Sequence, residues 1–222
     1  LQARIISGEA EPNSLLKIYG NSLLAETTTG QNGLFSREID LELGSNTIYA
    51  TATDAAGNGS VSSEAQAVIF DTQNPVFSQV NVNPNPARAG PTALTFVSSK
   101  TLQANPAVTV NNNSALFSSL NNLTYTYTYE VTSNDVQGTA AVQIQGIDLA
   151  GNPGGKSANF IIDTIYPVVS NVAVSPNPAK AGTLVLTFAV SETLKANPLV
   201  KINSGTATFS RRFPTSTDLN YE

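Results

Sequence analysis

The stretch NPVFSQVNVNPNPARAGPTALTFVSSKTLQANPAVTV, residues 74–110, recurs as YPVVSNVAVSPNPAKAGTLVLTFAVSETLKANPLVKI, residues 166–202. The two copies align without a gap, and their offset of 92 residues is also the separation of Asp71 and Asp163. Self-similarity at a fixed period indicates a repeat architecture. The sequence therefore predicts two units of one family in tandem.

Within each unit the apolar residues recur at every second position, which is the period of a β-strand. Leu94 and Phe96 form one such pair, and Val142 and Ile144 form another. Turn-forming stretches such as PNPARAG and SNDVQG separate these runs, and no useful helical series occurs. About seven short strands in about 90 residues are typical of an immunoglobulin-like sandwich. We therefore expect an all-β protein of tandem immunoglobulin-like sandwiches with about seven strands each.

We divide the chain into unit 1 (residues 1–72), unit 2 (73–164) and unit 3 (165–222). Unit 1 resembles unit 2 only in its last part, where TIYATATDAAGN (47–58) parallels AVQIQGIDLAGN (141–152). It is therefore interpreted as a divergent subfamily of the same fold. Unit 3 is a truncated copy of unit 2 that lacks the closing third, so the last sandwich should be incomplete.

The composition excludes several kinds of function. The 222 residues include no Cys and no His, which removes thiolate and imidazole metal sites and Ser–His or Cys–His nucleophiles. A net charge of −5 argues against nucleic acid, whose phosphates need a basic face. No apolar run is long enough to span a membrane. Leu1 is not a natural start, so we expect the chain to belong to a longer protein.

Two enzyme-like patterns are rejected. AGNPGGKS (150–157) imitates a phosphate-binding loop, but Ala150 replaces the first glycine and a strand follows instead of a helix. A glycosidase-type carboxylate pair needs a cleft, which tandem sandwiches do not offer. Lys100 and Lys156 are interpreted as ordinary polar positions, so an internal Lys–Asn crosslink has little support. We expect no enzymatic activity.

The stretch LTYTYTYEV (123–131) has two interpretations. Its tyrosines share one face and its threonines the other. The preferred interpretation is a core strand with the threonines outward. The alternative is an exposed aromatic strip that binds sugars.

The motifs DAAGN…DTQNP and DLAGN…DTIYP, with SGEAEPNSLLKIYG (7–20), resemble bacterial immunoglobulin-like domains. These domains occur in large repetitive cell-surface adhesins and biofilm-associated proteins. The resemblance implies sandwich modules strung as stalks on the bacterial cell surface, often with calcium at the domain junctions.

The aspartates of these motifs should meet across unit boundaries. Asp54 and Asp148 begin the loop between the last two strands, which lies at the end where the chain enters the sandwich. Asp71 and Asp163 end the last strand, which leaves at the opposite end. Asp71 of unit 1 should therefore face Asp148 of unit 2. By the same logic Asp163 faces a following unit and Asp54 a preceding one.

Calcium is the predicted ligand of this junction. Two facing carboxylates repel unless a cation or a proton lies between them, and Ca²⁺ prefers oxygen ligands. Asp71 and Asp148 are the predicted calcium ligands, with Asn152 and turn carbonyls completing the shell. Asp163 and Asp54 would belong to further, incomplete sites. The alternative, in which all these aspartates only cap turns, stays open at this point.

The expected function is mechanical: a stiff spacer whose partners are the neighbouring immunoglobulin-like domains of the same chain. One alternative is an adhesin module that binds a surface carbohydrate or protein. Another is a fibre subunit that assembles with like subunits by strand complementation.

If calcium bridges the junction, adding calcium should raise the melting temperature of the chain and EDTA should lower it, because a ligand of the folded state stabilises it. Thermal unfolding in the two buffers measures the difference. An Asp148→Asn protein that keeps the full calcium response would contradict the site.

Overall fold

A computed structural model describes residues 2–203, 205–208, 212–214 and 219–221. In these residues every regular element is a β-strand, and the all-β prediction is confirmed. The described part of the chain forms no helix long and apolar enough to cross a bilayer.

Unit 1 has six strands arranged in two sheets. A two-stranded sheet pairs β1 with β4, and a four-stranded sheet has the order β3-β2-β5-β6. The ten-residue β5 pairs with β6 along its first half and with β2 along its second half. Unit 1 has fewer strands than the seven expected for such a unit. The strands are β1 (Gln2–Glu9), β2 (Leu15–Tyr19), β3 (Leu23–Thr28), β4 (Leu34–Leu41), β5 (Gly44–Thr53) and β6 (Gln66–Phe70).

Unit 2 is a complete sandwich of two four-stranded antiparallel sheets. Their orders are β11-β12-β8-β7 and β10-β9-β13-β14, the immunoglobulin arrangement with one short additional strand. The strands are β7 (Phe77–Asn83), β8 (Gly90–Ser98), β9 (Ala107–Val110), β10 (Asn113–Ser114), β11 (Leu116–Asn121), β12 (Thr124–Val131), β13 (Gly138–Ile147) and β14 (Pro153–Ile162).

The core of unit 2 lies between these sheets and is centred on aromatic side chains. All three tyrosines of β12 are buried, so the core-strand interpretation of LTYTYTYEV is confirmed and the exposed sugar-binding strip is wrong. Phe96 stacks on Tyr125 and Tyr127, with ring centroids 5.5 and 5.8 Å apart. The Tyr127 hydroxyl donates a hydrogen bond to the carbonyl of Pro106, so its burial leaves no unpaired phenol. Burial also raises the pKa of Tyr127 to about 12.

Unit 3 repeats the first part of unit 2. Its four-stranded sheet has the order β15-β16-β20-β19, and a register shift recurs at the equivalent point of the first hairpin. The strands are β15 (Val169–Ser175), β16 (Val185–Val190), β17 (Lys201–Ile202), β18 (Gly205–Thr206), β19 (Arg212–Pro214) and β20 (Leu219–Tyr221).

Strand β15 of unit 3 is more exposed than β7, its counterpart in unit 2, whereas Phe188 and Val190 of β16 are buried. Val169 is 55% exposed, whereas its equivalent Phe77 in unit 2 is 2% exposed. The incomplete last sandwich stays a prediction.

Replacing Phe96 by Ala should destabilise unit 2 by about 3–5 kcal/mol, because the change leaves a cavity in a close-packed core. Urea unfolding followed by tyrosine near-UV circular dichroism measures the loss. Phe117→Ala is the matched control, since Phe117 is 43% exposed and should cost much less. Equal losses in the two variants would contradict the placement of the core.

Candidate functional site

The DLAGN turn between β13 and β14 is built around Asp148. Asp148 Oδ1 accepts hydrogen bonds from the backbone N–H groups of Ala150 (3.0 Å) and Asn152 (2.9 Å). The Asn152 side chain donates to Asp148 Oδ2 at 3.0 Å. Gly151 adopts φ of 92°, a conformation that glycine takes without strain. The motif is therefore a self-capped turn that points a carboxylate to the entry end of unit 2.

The DAAGN turn of unit 1 has the same construction. Asp54 Oδ1 accepts from the N–H groups of Ala56 (2.9 Å) and Asn58 (2.7 Å), and Gly57 has φ of 92°. Both loops thus show the turn chemistry that the sequence suggested. Among the described residues, the hydrogen bonds of Asp54 stay within its own loop.

The exit aspartates also cap local turns. Asp71 Oδ1 accepts from the N–H of Gln73 at 2.9 Å, and Asp163 Oδ1 accepts from the N–H of Ile165 at 3.2 Å. The two exits therefore share one geometry, as the 92-residue offset indicates. Within the described residues, only Asp71 is followed by a unit that contains the loop between its last two strands, which is the β13–β14 turn.

Asp71 and Asp148 converge on one side chain, Lys100. The Lys100 ammonium lies 2.8 and 2.6 Å from the two carboxylate oxygens of Asp71 and 3.2 Å from Asp148 Oδ2. Lys100 is 24% exposed, Asp71 31% and Asp148 2%. An ion pair thus links the exit of unit 1 to the entry end of unit 2.

The loop after β8 brings Lys100 to this position. Leu102 forms an isolated antiparallel bridge with Asp148, and the N–H of Gln103 donates to the carbonyl of Ile147 at 2.9 Å. The buried Ser98 hydroxyl donates to the carbonyl of Lys100 at 2.7 Å. Because its backbone is held on both sides, the lysine projects from a defined point beside the DLAGN turn. Its earlier interpretation as an ordinary polar position is wrong.

The linker between β6 and β7, residues 71–76, is docked on the sandwich of unit 2. Lys100 also donates to the carbonyl of Gln73, and the Asn152 side chain donates to the carbonyl of Asp71 at 3.1 Å. Val76 and Ser99 exchange two hydrogen bonds, each 2.9 Å long. The linker therefore follows the surface of unit 2 and is not a free tether.

Pro75 closes the linker against the start of β14. It is buried, and a Cβ added to Gly154 would lie only 2.1 Å from the Pro75 carbonyl oxygen. Any larger residue at position 154 would push the linker away. The glycine is a close-approach position, and glycine inside a strand is the signal that could have identified it.

Hydrogen bonds among Asp71, Lys100 and Asp148 shift their pKa values toward the charged forms. The hydrogen bond from Lys100 lowers the pKa of Asp71 and, reciprocally, raises the pKa of Lys100. Burial alone would raise the pKa of Asp148, but hydrogen bonds from Asn152, Lys100 and Ala150 lower it to about 2. All three groups are therefore charged at neutral pH.

As arranged, these residues do not fit a calcium ion. The ammonium of Lys100 lies where a cation between the carboxylates would bind, and the Asn152 amide presents its N–H to Asp148 instead of its oxygen. Across the described residues, no group of three or more Asp, Glu, His or Cys side chains could hold a metal. Calcium at Asp71, Asp148 and Asn152 stays a prediction that requires Lys100 to move away.

Comparison with known structures gives distant likenesses. One is the Ca²⁺-stabilized adhesin with which an Antarctic bacterium binds ice, at 16% identity and a TM-score of 0.41; the match covers 99% of this chain and 60% of the adhesin chain. Another is BcpA, the major pilin subunit of Bacillus cereus, at 10% identity and a TM-score of 0.22, covering 99% and 95% of the two chains. No curated protein sequence matches the chain.

The sequence profile of the bacterial Ig domain matches residues 2–68, which is nearly all of unit 1. The matched segment contains β1 to β5 and most of β6, so the profile and the two sheets describe the same module. The chain is thus an all-β protein of the immunoglobulin-like sandwich type, and its residues 2–68 match the model of the bacterial Ig domain family.

Proposed function

We propose that the chain is a segment of a non-enzymatic stalk in an extracellular protein of a bacterial surface, in which the units act as a stiff spacer. The observation that carries this proposal is the docked linker. Each end of residues 71–76 is held by unit 2, through Lys100 and Asn152 at one end and Ser99 at the other. A linker held in this way transmits orientation from one unit to the next.

The linker chemistry supports stiffness. Six residues join β6 to β7, and Pro75 fixes its own φ and restricts the residue before it. Pro75 is buried against Gly154, so the restricted segment is also packed. Arrays of this kind gain stability from each unit and from each interface between neighbours. The partners of a unit in this proposal are the neighbouring units of the same chain.

An adhesive role that depends on exposed tyrosines has lost its basis, because Tyr125, Tyr127 and Tyr129 are core residues. The spacer proposal does not need a ligand site. It needs a defined angle between units 1 and 2.

Distance measurements between spin labels should give a narrow distribution between unit 1 and unit 2. The chain has no Cys, so Ser36→Cys and Ser119→Cys on exposed strand faces provide the only two labels. A Ser119→Cys, Thr139→Cys pair within unit 2 gives the width of a rigid reference. A distribution as broad as that of a flexible six-residue tether, between labels on folded units, would overturn the spacer proposal.

The contribution of the Asp148 carboxylate to the stability of the chain should be lost in acid between about pH 4 and pH 2. The pKa of Asp148 is lowered to about 2 in the folded chain, from 3.8 for the free group, so its contribution to stability is complete above about pH 4 and disappears as the pH falls through about 2. Thermal unfolding of the wild type and of Asp148→Asn across this range measures it. The melting temperatures of the two proteins should converge at low pH; a constant difference would contradict the assignment.

A further inference from the structure

The Lys100 ammonium has the environment of a bound cation. Its acceptors are both carboxylate oxygens of Asp71, the carbonyl of Gln73 and Asp148 Oδ2. These oxygens come from the exit of unit 1, the linker and the entry turn of unit 2. Carboxylate and carbonyl oxygens are also the ligands of a hard divalent cation, so the lysine competes for the same position.

The Lys100 ammonium offsets the repulsion between the Asp71 and Asp148 carboxylates, which would otherwise separate the units. Asp148 is almost fully buried, and a buried carboxylate facing a second carboxylate is costly without a positive partner. The ammonium is that partner, and the turn N–H groups and the Asn152 amide satisfy the remaining oxygen lone pairs of Asp148. The ammonium reduces the net charge of the contact from −2 to −1, which removes much of the repulsion between the two carboxylates.

We propose that Lys100 is a built-in cation that replaces a bound metal at this junction, so that units 1 and 2 dock without calcium. This inference deepens the proposed spacer function and rests on it. It differs from the calcium prediction in one measurable respect, which is the response of the junction to a chelator.

The residue at the equivalent position of unit 3 has the opposite charge. Position 192, which follows Lys100 by the repeat offset, is a glutamate. The local backbone contacts are the same: Ser191 and Val168 exchange the hydrogen bonds that Ser99 and Val76 exchange in unit 2. An anion at this position cannot bridge to the Asp163 carboxylate, so the two junctions of the chain differ in the sign of one charge.

Lys100→Glu reproduces the unit 3 residue in the first junction and tests the inference. Spin-label distances between Ser36→Cys and Ser119→Cys are measured on the full chain in EDTA and in calcium. The wild type should give the same narrow distribution in both buffers. Lys100→Glu should give a broad distribution in EDTA, because three carboxylates then repel, and calcium should narrow it again.

Two further variants separate the role of the charge from general damage. Lys100→Met removes the cation without adding an acid, and it should broaden the distribution in EDTA. Lys156→Glu is the matched control, because Lys156 is an exposed residue of β14 and receives the same charge change. Its distribution should equal that of the wild type. The label pair within unit 2, Ser119→Cys and Thr139→Cys, should keep its distance in every variant and so report an intact sandwich.

The outcomes distinguish this inference from the spacer function. If the distance distribution of the wild type is narrow only in calcium, the built-in cation is overturned but the spacer function is not. If the distance distribution of the wild type is broad in both buffers, the spacer function itself is overturned. A Lys100→Met protein as narrow as the wild type, or a Lys100→Glu protein that calcium does not narrow, also overturns the assignment of Lys100 to the cation position.

Discussion

The ammonium of Lys100, shared between carboxylates of two units, is the interaction on which the arrangement of the junction depends. It joins the exit of one sandwich, the linker and the entry turn of the next within hydrogen-bonding distance of one nitrogen. Exposed ion pairs contribute little to stability, but this one is partly shielded and one of its carboxylates is almost fully buried. Its effect is therefore specific: it favours one placement of unit 1 against unit 2.

The turns on either side of this contact are closed by hydrogen bonds within their own loops. The Asp148 turn is complete within residues 148–152, and the Asp71 turn is complete within the linker. The same turns occur at Asp54 and Asp163 without the lysine. A recurring local motif thus prepares each carboxylate, and the residue that faces it decides what kind of junction results. Substitution of a single residue in the β8–β9 loop or its counterpart is enough to change that chemistry.

Much of the fold followed from the sequence because strand periodicity and repetition are local or one-dimensional signals. The alternation in LTYTYTYEV predicted which face of β12 is buried, since one face of a strand holds every second residue. The strand order placed the Asp-x-Ala-Gly-Asn loop at the entry end of its unit. The structure places the β8–β9 loop at the same end, and comparison of Lys100 with Glu192 was the available sequence signal for the bridge. The close approach of Pro75 to Gly154 had a weaker signal, a glycine pair inside a strand.

The β-sandwich architecture, the repeat and the self-capped aspartate turns could all be predicted from the sequence, because each depends on the order of neighbouring residues. The group that lies between Asp71 and Asp148 could be identified only in the folded chain. These residues are 77 positions apart, and Lys100 reaches both because the β8–β9 loop bridges to the turn at Asp148 while unit 1 ends beside it. The sequence positions of opposite charges do not show whether the charges meet, since contact depends on the packing of two sheets and the path of a docked linker.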